Sequence, residues 1–280
     1  MTEKFPITHV AKAALLAPLD NKMAMLKAIG LLLLAILAGS ILLVIFAVLI
    51  GIDLNAMQAV LGQAPAGDSV GAGSLFGLLI GYILLIIGIV TVFAYIFNHW
   101  VRLAAFGPER AKFPTTGRAV SAAFINMIKF VLIGIIVLLV AFVVNFVLQA
   151  TGLANAPPTS LADFDFLQAQ IDGFAGGLIM TVVSCAIYSL FSSNLTQTAL
   201  GSDEESLQHP HTVDFAVSLM LIYAVVLISS MVAALIGSLT LFWLVSGLTY
   251  LLVIFSVPVA HGLRYRICAG ENRSPESPVS

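Results

Sequence analysis

The sequence predicts an all-α fold, a polytopic transmembrane bundle of six membrane-spanning helices with both termini on the cytoplasmic side. Composition is the first observation behind this prediction: 60% of the 280 residues are apolar and 9% are charged. Soluble domains are closer to about 45–50% apolar and about 25% charged. The second observation is that long apolar runs alternate with polar segments, and the basic residues lie in only some of those segments. Lipid must therefore be the solvent for most of the chain.

Each apolar run is long enough to cross a hydrocarbon core about 30 Å thick. The charge-free stretch Phe215–Ala260 is too long for one span, and Gly237 and Ser238 divide it into two. The predicted spans are residues 28–52, 74–97, 124–148, 174–200, 214–236 and 239–260. They form a six-helix transmembrane domain over residues 28–262. A cytoplasmic amphipathic segment, residues 1–27, precedes this domain, and a basic and then disordered cytoplasmic tail, residues 263–280, follows it.

The distribution of basic residues predicts the orientation. The chain has twelve lysines and arginines, and all except Lys129 lie in the N-terminal segment, the loop after the second span or the tail. Loops 53–73 and 150–173 contain none, so the positive-inside rule places the basic side in the cytoplasm. Lys129 is near the start of the third span and is expected to extend to headgroups on that side. This asymmetry favours the plasma membrane, and specifically a bacterial inner membrane.

A His-x-x-Lys/Arg pattern occurs three times beside a predicted span. The pairs are His9 with Lys12, His99 with Arg102 and His261 with Arg264, and Trp100 lies inside the second pair. Residues i and i+3 share a helix face. We expect these residues to form short interfacial amphipathic segments, including residues 97–118, that contact anionic lipid headgroups at the cytoplasmic face. A duplicated structural unit is the alternative explanation.

Small residues recur at helical spacing in two spans, which predicts close helix packing. They are Gly73, Gly77, Gly81 and Gly88 in the second span, and Ser229, Ala233 and Gly237 in the fifth. Packing within the bundle is the expected role. Contact with a second copy of the chain or with another membrane protein is the alternative.

The fourth span carries a polar stripe of Thr181, Ser184, Tyr188 and Ser192. Hydrogen bonds between helices are its expected role. A path for a small solute along this face is the alternative.

The sequence contains no recognisable catalytic constellation. The common nucleotide-binding, metalloprotease and nucleophile motifs are absent. Imidazole and carboxylate ligands suit zinc, and the weak candidates for such a site are Asp203, Glu204, Glu205, His209 and His211. A solvated acidic loop explains this cluster equally well. We therefore expect no cofactor, no metal, no enzymatic activity and no nucleic-acid partner.

These observations predict an integral membrane protein with a structural, assembly or regulatory role. The alternative is a transporter or channel for a small neutral or lipid-like solute. An enzyme that acts on lipid headgroups through His99, His209, His211 or His261 has the least support.

Overall fold

The structure is a computed structural model, and it describes residues 5–49, 72–151, 166–201, 211–236 and 238–270. Within these ranges the chain forms seven α-helices and one turn of 3-10 helix at Pro108–Arg110. The helices are α1 (Ile7–Asp20), α2 (Lys22–Leu49), α3 (Ala72–Phe106), α4 (Thr116–Ala150), α5 (Phe166–Leu200), α6 (Thr212–Leu235) and α7 (Leu239–Gly270).

Six of the described helices, α2 to α7, are long and apolar enough to cross a membrane. This confirms the all-α class and the six predicted spans. The observed helix ends differ most from the predicted span ends in α3 and α7. Helix α3 continues to Phe106, so the first half of the predicted surface segment 97–118 is the end of a spanning helix. Helix α7 continues to Gly270, so the first part of the predicted tail is also helical, while residues 271–280 lie outside the described residues.

The N-terminal segment folds as α1, which packs against α6 and α7. Its inner face is formed by Val10, Ala11, Ala14 and Pro18, all of which are buried. The start of α1 lies against the start of α6, because Ser218 Oγ is 3.3 Å from the carbonyl oxygen of Ile7. Helix α1 is therefore covered by the bundle along one side.

One end of the bundle gathers most of the polar contacts. The ends of α3 and α5 meet there, because Arg102 donates a hydrogen bond to the carbonyl of Leu200. The end of α7 meets the start of α6, because Arg264 approaches Thr212. We call this the basic end, because every lysine and arginine in the described ranges lies in the parts of the helices and turns that meet there.

The most extensive helix contact joins α3 to α7, and Gly262 makes this contact close. A methyl group at Gly262 would collide with the carbonyl oxygen of Val101 and would lie 2.6 Å from Cβ of Ala104. Such separations are well inside van der Waals contact, so only glycine lets the two backbones approach this far. The sequence analysis did not single out Gly262.

Helix α2 occupies the periphery and packs mainly on α3. Gly81 faces α2, since a methyl group there would lie 2.7 Å from Cδ1 of Leu43 and 2.9 Å from Cδ1 of Phe46. Gly88, in contrast, has no atom within 4 Å of the position that a methyl group would take. The predicted glycine stripe therefore packs closely at Gly81 and not at Gly88.

The second stripe of small residues faces α7. Ser229 Oγ lies 3.3 Å from Thr249 Oγ1. Ala233 is buried beside Phe242. Both contacts lie inside the bundle, and Gly237 is outside the described residues.

Candidate functional site

A cavity of about 390 Å³ lies between α4, α5, α6 and α7. Its polar lining consists of Thr181, Ser184, Tyr188, Tyr223 and Tyr250. Its remaining lining is Val137, Gly177, Met180, Cys185, Leu219 and Leu227. No charged side chain of the described ranges is among these residues. The cavity is thus an apolar space with a few hydroxyl groups, the usual composition of a small-molecule site.

The polar stripe predicted on the fourth span forms one wall of this cavity. Thr181, Ser184 and Tyr188 are spaced by three and four residues along α5, so they share one helix face. Ser192 continues the stripe by one turn towards the basic end, where it is fully buried and no longer lines the cavity. The stripe therefore connects the cavity to the packed residues below it.

Directly below the cavity, Tyr188 contacts His261. The Tyr188 hydroxyl lies 3.0 Å from His261 Nε2. The other ring nitrogen, Nδ1, lies 2.7 Å from Thr196 Oγ1. Thr196 also donates a hydrogen bond to the carbonyl oxygen of Ser192 at 2.8 Å. A chain of hydrogen bonds thus runs from the cavity wall into the interior of the basic end.

Aromatic rings enclose His261. The ring centroids of Phe97 and Phe215 lie 5.1 and 4.9 Å from the imidazole centroid, both edge to face. Tyr188 adds a third such contact at 5.6 Å. The side chain is 0% exposed, so protein rather than lipid surrounds it.

Arg264 lies one helical turn after His261 and is 2% exposed. Its Nη1 donates a hydrogen bond to Ser192 Oγ at 2.7 Å, and its guanidinium carbon lies 4.8 Å from the Phe215 ring centroid. Hydroxyl groups and an aromatic face thus offset the loss of hydration of this buried charge. We call Tyr188, Ser192, Thr196, His261 and Arg264 the polar layer.

Arg102 has different partners. Its guanidinium group lies 4.4 Å from the ring centroid of Phe113 and 5.3 Å from that of Phe106. It donates hydrogen bonds to four main-chain carbonyls, those of Leu200, Arg110, Ala111 and Lys112. The carbonyl of Leu200 belongs to the last turn of α5, which has no intrahelical donor for it. Arg102 therefore fastens the turn after α3 to the end of α5.

The residues predicted to contact headgroups separate into two groups. His9 and Lys12 are exposed on α1, and His99 is half-buried. Trp100, in contrast, is 0% exposed, and its ring centroid lies 5.3 Å from that of Phe255. Trp100, Arg102, His261 and Arg264 are covered by neighbouring helices, which differs from the predicted position at the lipid surface. Their hydrogen-bonding and aromatic neighbours come from helices that the local pattern does not reveal.

Two polar residues of α4 also bond to α5 or α3. Lys129 Nζ donates hydrogen bonds to the carbonyl of Asn194, at 3.1 Å, and to Thr198 Oγ1. Asn126 Nδ2 donates to Asn98 Oδ1 at 2.6 Å. Lys129 therefore binds protein atoms in addition to any contact with headgroups.

The weak metal candidates are only partly described. His211 Nδ1 lies 3.0 Å from a carboxylate oxygen of Asp214. The His211 ring also stacks on Phe5, with centroids 5.5 Å apart. Residues 203–205 and 209 lie outside the described ranges. Within those ranges, no three His, Cys, Asp or Glu side chains form a group that could hold a metal ion.

Sequence reasoning missed Thr196, Asn98 and Gly262. Thr196 lies one turn beyond Ser192 on the predicted polar stripe, so extending the stripe would have identified it. Asn98 precedes His99, and Gly262 follows His261. This position beside a histidine of the repeated pattern was the only feature of the sequence that pointed to either residue.

The six apolar helices and the cavity among them define a multi-pass membrane protein. Comparisons with protein-family models, with curated proteins and with solved structures found no match.

Proposed function

We propose that the protein binds a small neutral or lipid-like solute in the cavity between α4, α5, α6 and α7, as a carrier of that solute. The cavity carries this proposal, because its lining combines hydroxyl groups with an apolar surface and includes no charged residue of the described chain. A charged solute would lose its hydration there without a counter-charge. A neutral solute would keep its apolar part in apolar surroundings and form hydrogen bonds with the hydroxyls.

The polar layer supports a carrier rather than an open channel. His261 and Arg264 are almost completely buried, and His261 contacts Tyr188 directly below the cavity, on the side of the basic end. A solute in the cavity would have to displace helices to continue past them. Carriers expose their sites to one side at a time, and such movement is their usual means of release.

The alternative is the structural, assembly or regulatory role. In that case helix packing would account for the hydroxyl stripe, and the cavity would remain closed to solutes. Access to the cavity distinguishes the two functions.

Cysteine labelling tests this access. Cys185 and Cys268 are first replaced by alanine, and a single cysteine is then introduced as Ser184→Cys, which lines the cavity. Ser189→Cys is the matched control, because Ser189 lies on the same helix, is 3% exposed and does not line the cavity. One water-soluble and one membrane-soluble maleimide are compared.

The proposal predicts that at least one reagent labels Ser184→Cys much faster than Ser189→Cys. Labelling by the water-soluble reagent would indicate an aqueous entrance, and labelling by the membrane-soluble reagent alone would indicate an entrance from lipid. Equal protection of both cysteines would favour the structural role and contradict the proposal.

Anionic headgroups at the cytoplasmic face are a further proposed partner. The exposed cations of the described ranges are Lys12, Lys22, Lys27, Arg110, Lys112, Arg118 and Arg266, and they suit this contact. Arg118 lines a groove of about 490 Å³ together with Ser121 and Thr198. Replacing Lys12 and Arg118 with glutamine should lower the amount of anionic lipid that co-purifies with the protein, measured by mass spectrometry. Unchanged lipid content would argue against these contacts.

A further inference from the structure

The hydrogen bonds around His261 determine which ring nitrogen carries the hydrogen. Thr196 Oγ1 lies 2.8 Å from the carbonyl oxygen of Ser192 and 2.7 Å from His261 Nδ1. A carbonyl oxygen can only accept, and a threonine hydroxyl has a single hydrogen to donate. That hydrogen therefore goes to Ser192. His261 Nδ1 must then be the donor to Thr196.

The assignment of Nδ1 as a donor also determines the role of the other ring nitrogen, Nε2. A neutral imidazole has one donor and one acceptor nitrogen, and the enclosure of His261 by three aromatic rings suits the neutral form. With Nδ1 as the donor, Nε2 accepts. The Tyr188 hydroxyl, at 3.0 Å, therefore donates its hydrogen to Nε2.

The Tyr188 oxygen consequently has only lone pairs left to offer to the cavity that it lines. Thr181 is in the same position, because its hydroxyl donates to the carbonyl oxygen of Gly177 at 2.8 Å. Seven residues separate the two side chains on α5, a rise of about 10 Å. Two hydrogen-bond acceptors with fixed roles thus lie along the wall of the cavity. The apolar groups opposite them include Val137 and Leu227.

From this arrangement we propose that the cavity selects molecules with a neutral hydrogen-bond donor, namely lipid-like alcohols with one hydroxyl group and an apolar body. This inference rests on the proposed function, since it specifies the ligand of the same cavity. An alcohol hydroxyl can donate to the Tyr188 oxygen. The corresponding methyl ether has no hydrogen to donate, so it would leave that acceptor unpaired in an apolar space.

Photolabelling with a matched pair of probes tests the selection. The probes are a long-chain alcohol that carries a diazirine in its apolar chain and the methyl ether of the same molecule. Each is added to the purified full-length protein in detergent and irradiated, and labelled peptides are quantified by mass spectrometry. We expect the alcohol to label peptides of α5 and α6 roughly fivefold more than the ether, the factor that corresponds to about 1 kcal/mol for one net hydrogen bond.

Variants assign the selectivity to the two acceptors. Tyr188→Phe removes one acceptor and should reduce the preference for the alcohol, and Tyr188→Phe combined with Thr181→Val removes both and should bring the two probes to equal labelling. Tyr82→Phe is the matched control, because Tyr82 is exposed on α3 and does not line the cavity, and the alcohol preference should persist in it. Elution as a single peak in size-exclusion chromatography confirms that each variant is folded. The comparison of the two probes on the unmodified protein requires no variant.

The outcomes separate the two proposals. Labelling of the cavity by neither probe would contradict the proposed function itself. Equal labelling by both probes would leave solute binding intact and overturn the selection of alcohols. A preference for the alcohol that survives in the variant lacking both Tyr188 and Thr181 acceptors would also overturn it, because a group other than these two would then be the acceptor.

Discussion

The pairs His99–Arg102 and His261–Arg264 have the same spacing and lie on the two helices with the most extensive contact in the described bundle. Their arginines nevertheless have different partners. Arg102 donates to main-chain carbonyls that end α5 and form the turn after α3. Arg264 donates to side-chain hydroxyls of α5 and α6. The first pair closes the end of the bundle, and the second pair supports the floor of the cavity.

The residue that follows each histidine accounts for much of this difference. Trp100 follows His99 and fills a buried space beside Phe255. Gly262 follows His261 and has no side chain, so α3 can approach α7 directly. His261 is then enclosed between helices, whereas His99 stays half-buried. A shared spacing therefore does not imply a shared role.

The largest expected effect is that of Gly262→Ala, which tests whether the close contact keeps the second pair buried. The added methyl group would overlap the Val101 carbonyl, and we expect a loss of about 3 kcal/mol in stability. Thermal unfolding in detergent measures it. Gly134→Ala is the control, since no atom lies within 4 Å of its added methyl group. Equal unfolding temperatures for the two variants would contradict the role given to Gly262.

Substituting the two arginines separately tests the difference in their partners. Arg102→Gln leaves several carbonyls without a charged donor, so we expect a loss of about 2.5 kcal/mol. Arg264→Gln removes a donor from the hydroxyl oxygens of Ser192 and Thr212, but Ser192 keeps the hydrogen bond that it donates to the carbonyl of Ser189, so we expect about half of that loss. Limited proteolysis should detect cleavage between residues 107 and 115 in Arg102→Gln only. Cleavage of both variants at this turn would remove the distinction between the arginines.

The losses of stability for the two histidines should follow the opposite order, with the larger loss in the second pair. His261→Ala removes hydrogen bonds to Tyr188 and Thr196 and leaves a cavity among aromatic rings, so we expect a loss of about 2 kcal/mol. His99→Ala should cost less than about 0.5 kcal/mol, because its side chain is half-buried. Chemical unfolding in mixed micelles compares the two. A larger loss of stability in His99→Ala than in His261→Ala would contradict the conclusion that His261 is the histidine enclosed by the bundle.

Lys129 is a third cation that bonds to α5, and it should have the smallest effect. Its side chain is half-buried, and it bonds to the Asn194 carbonyl and Thr198. Lys129→Met should cost no more than about 0.6 kcal/mol, the average of a hydrogen bond between membrane helices. The thermal assay applied to Gly262→Ala serves here too. A loss as large as that of Arg102→Gln would contradict the minor role given to Lys129.

Local patterns were sufficient where the relevant property belongs to one helix. The polar stripe on α5 was predicted because residues three and four apart share a face, and three of its four residues, Thr181, Ser184 and Tyr188, do line a cavity. The pattern on α5 could not predict that Tyr223, Tyr250 and Leu219 also line the cavity, because these residues belong to α6 and α7. The burial of Trp100 was missed for the same reason. A tryptophan beside basic residues fits a membrane surface equally well until the neighbouring helix is placed.

Composition and apolar run length determined the all-α class and the number of spanning helices, because a chain in lipid must satisfy its backbone polar groups internally and must cover the thickness of the hydrocarbon core. The spacing of histidines and arginines likewise determined which side chains share a helix face. Only the tertiary structure decided what those faces meet. The approach of α3 to α7 at Gly262 and the contacts of each arginine depend on helix pairs that are far apart in sequence, and local spacing carries no information about such pairs.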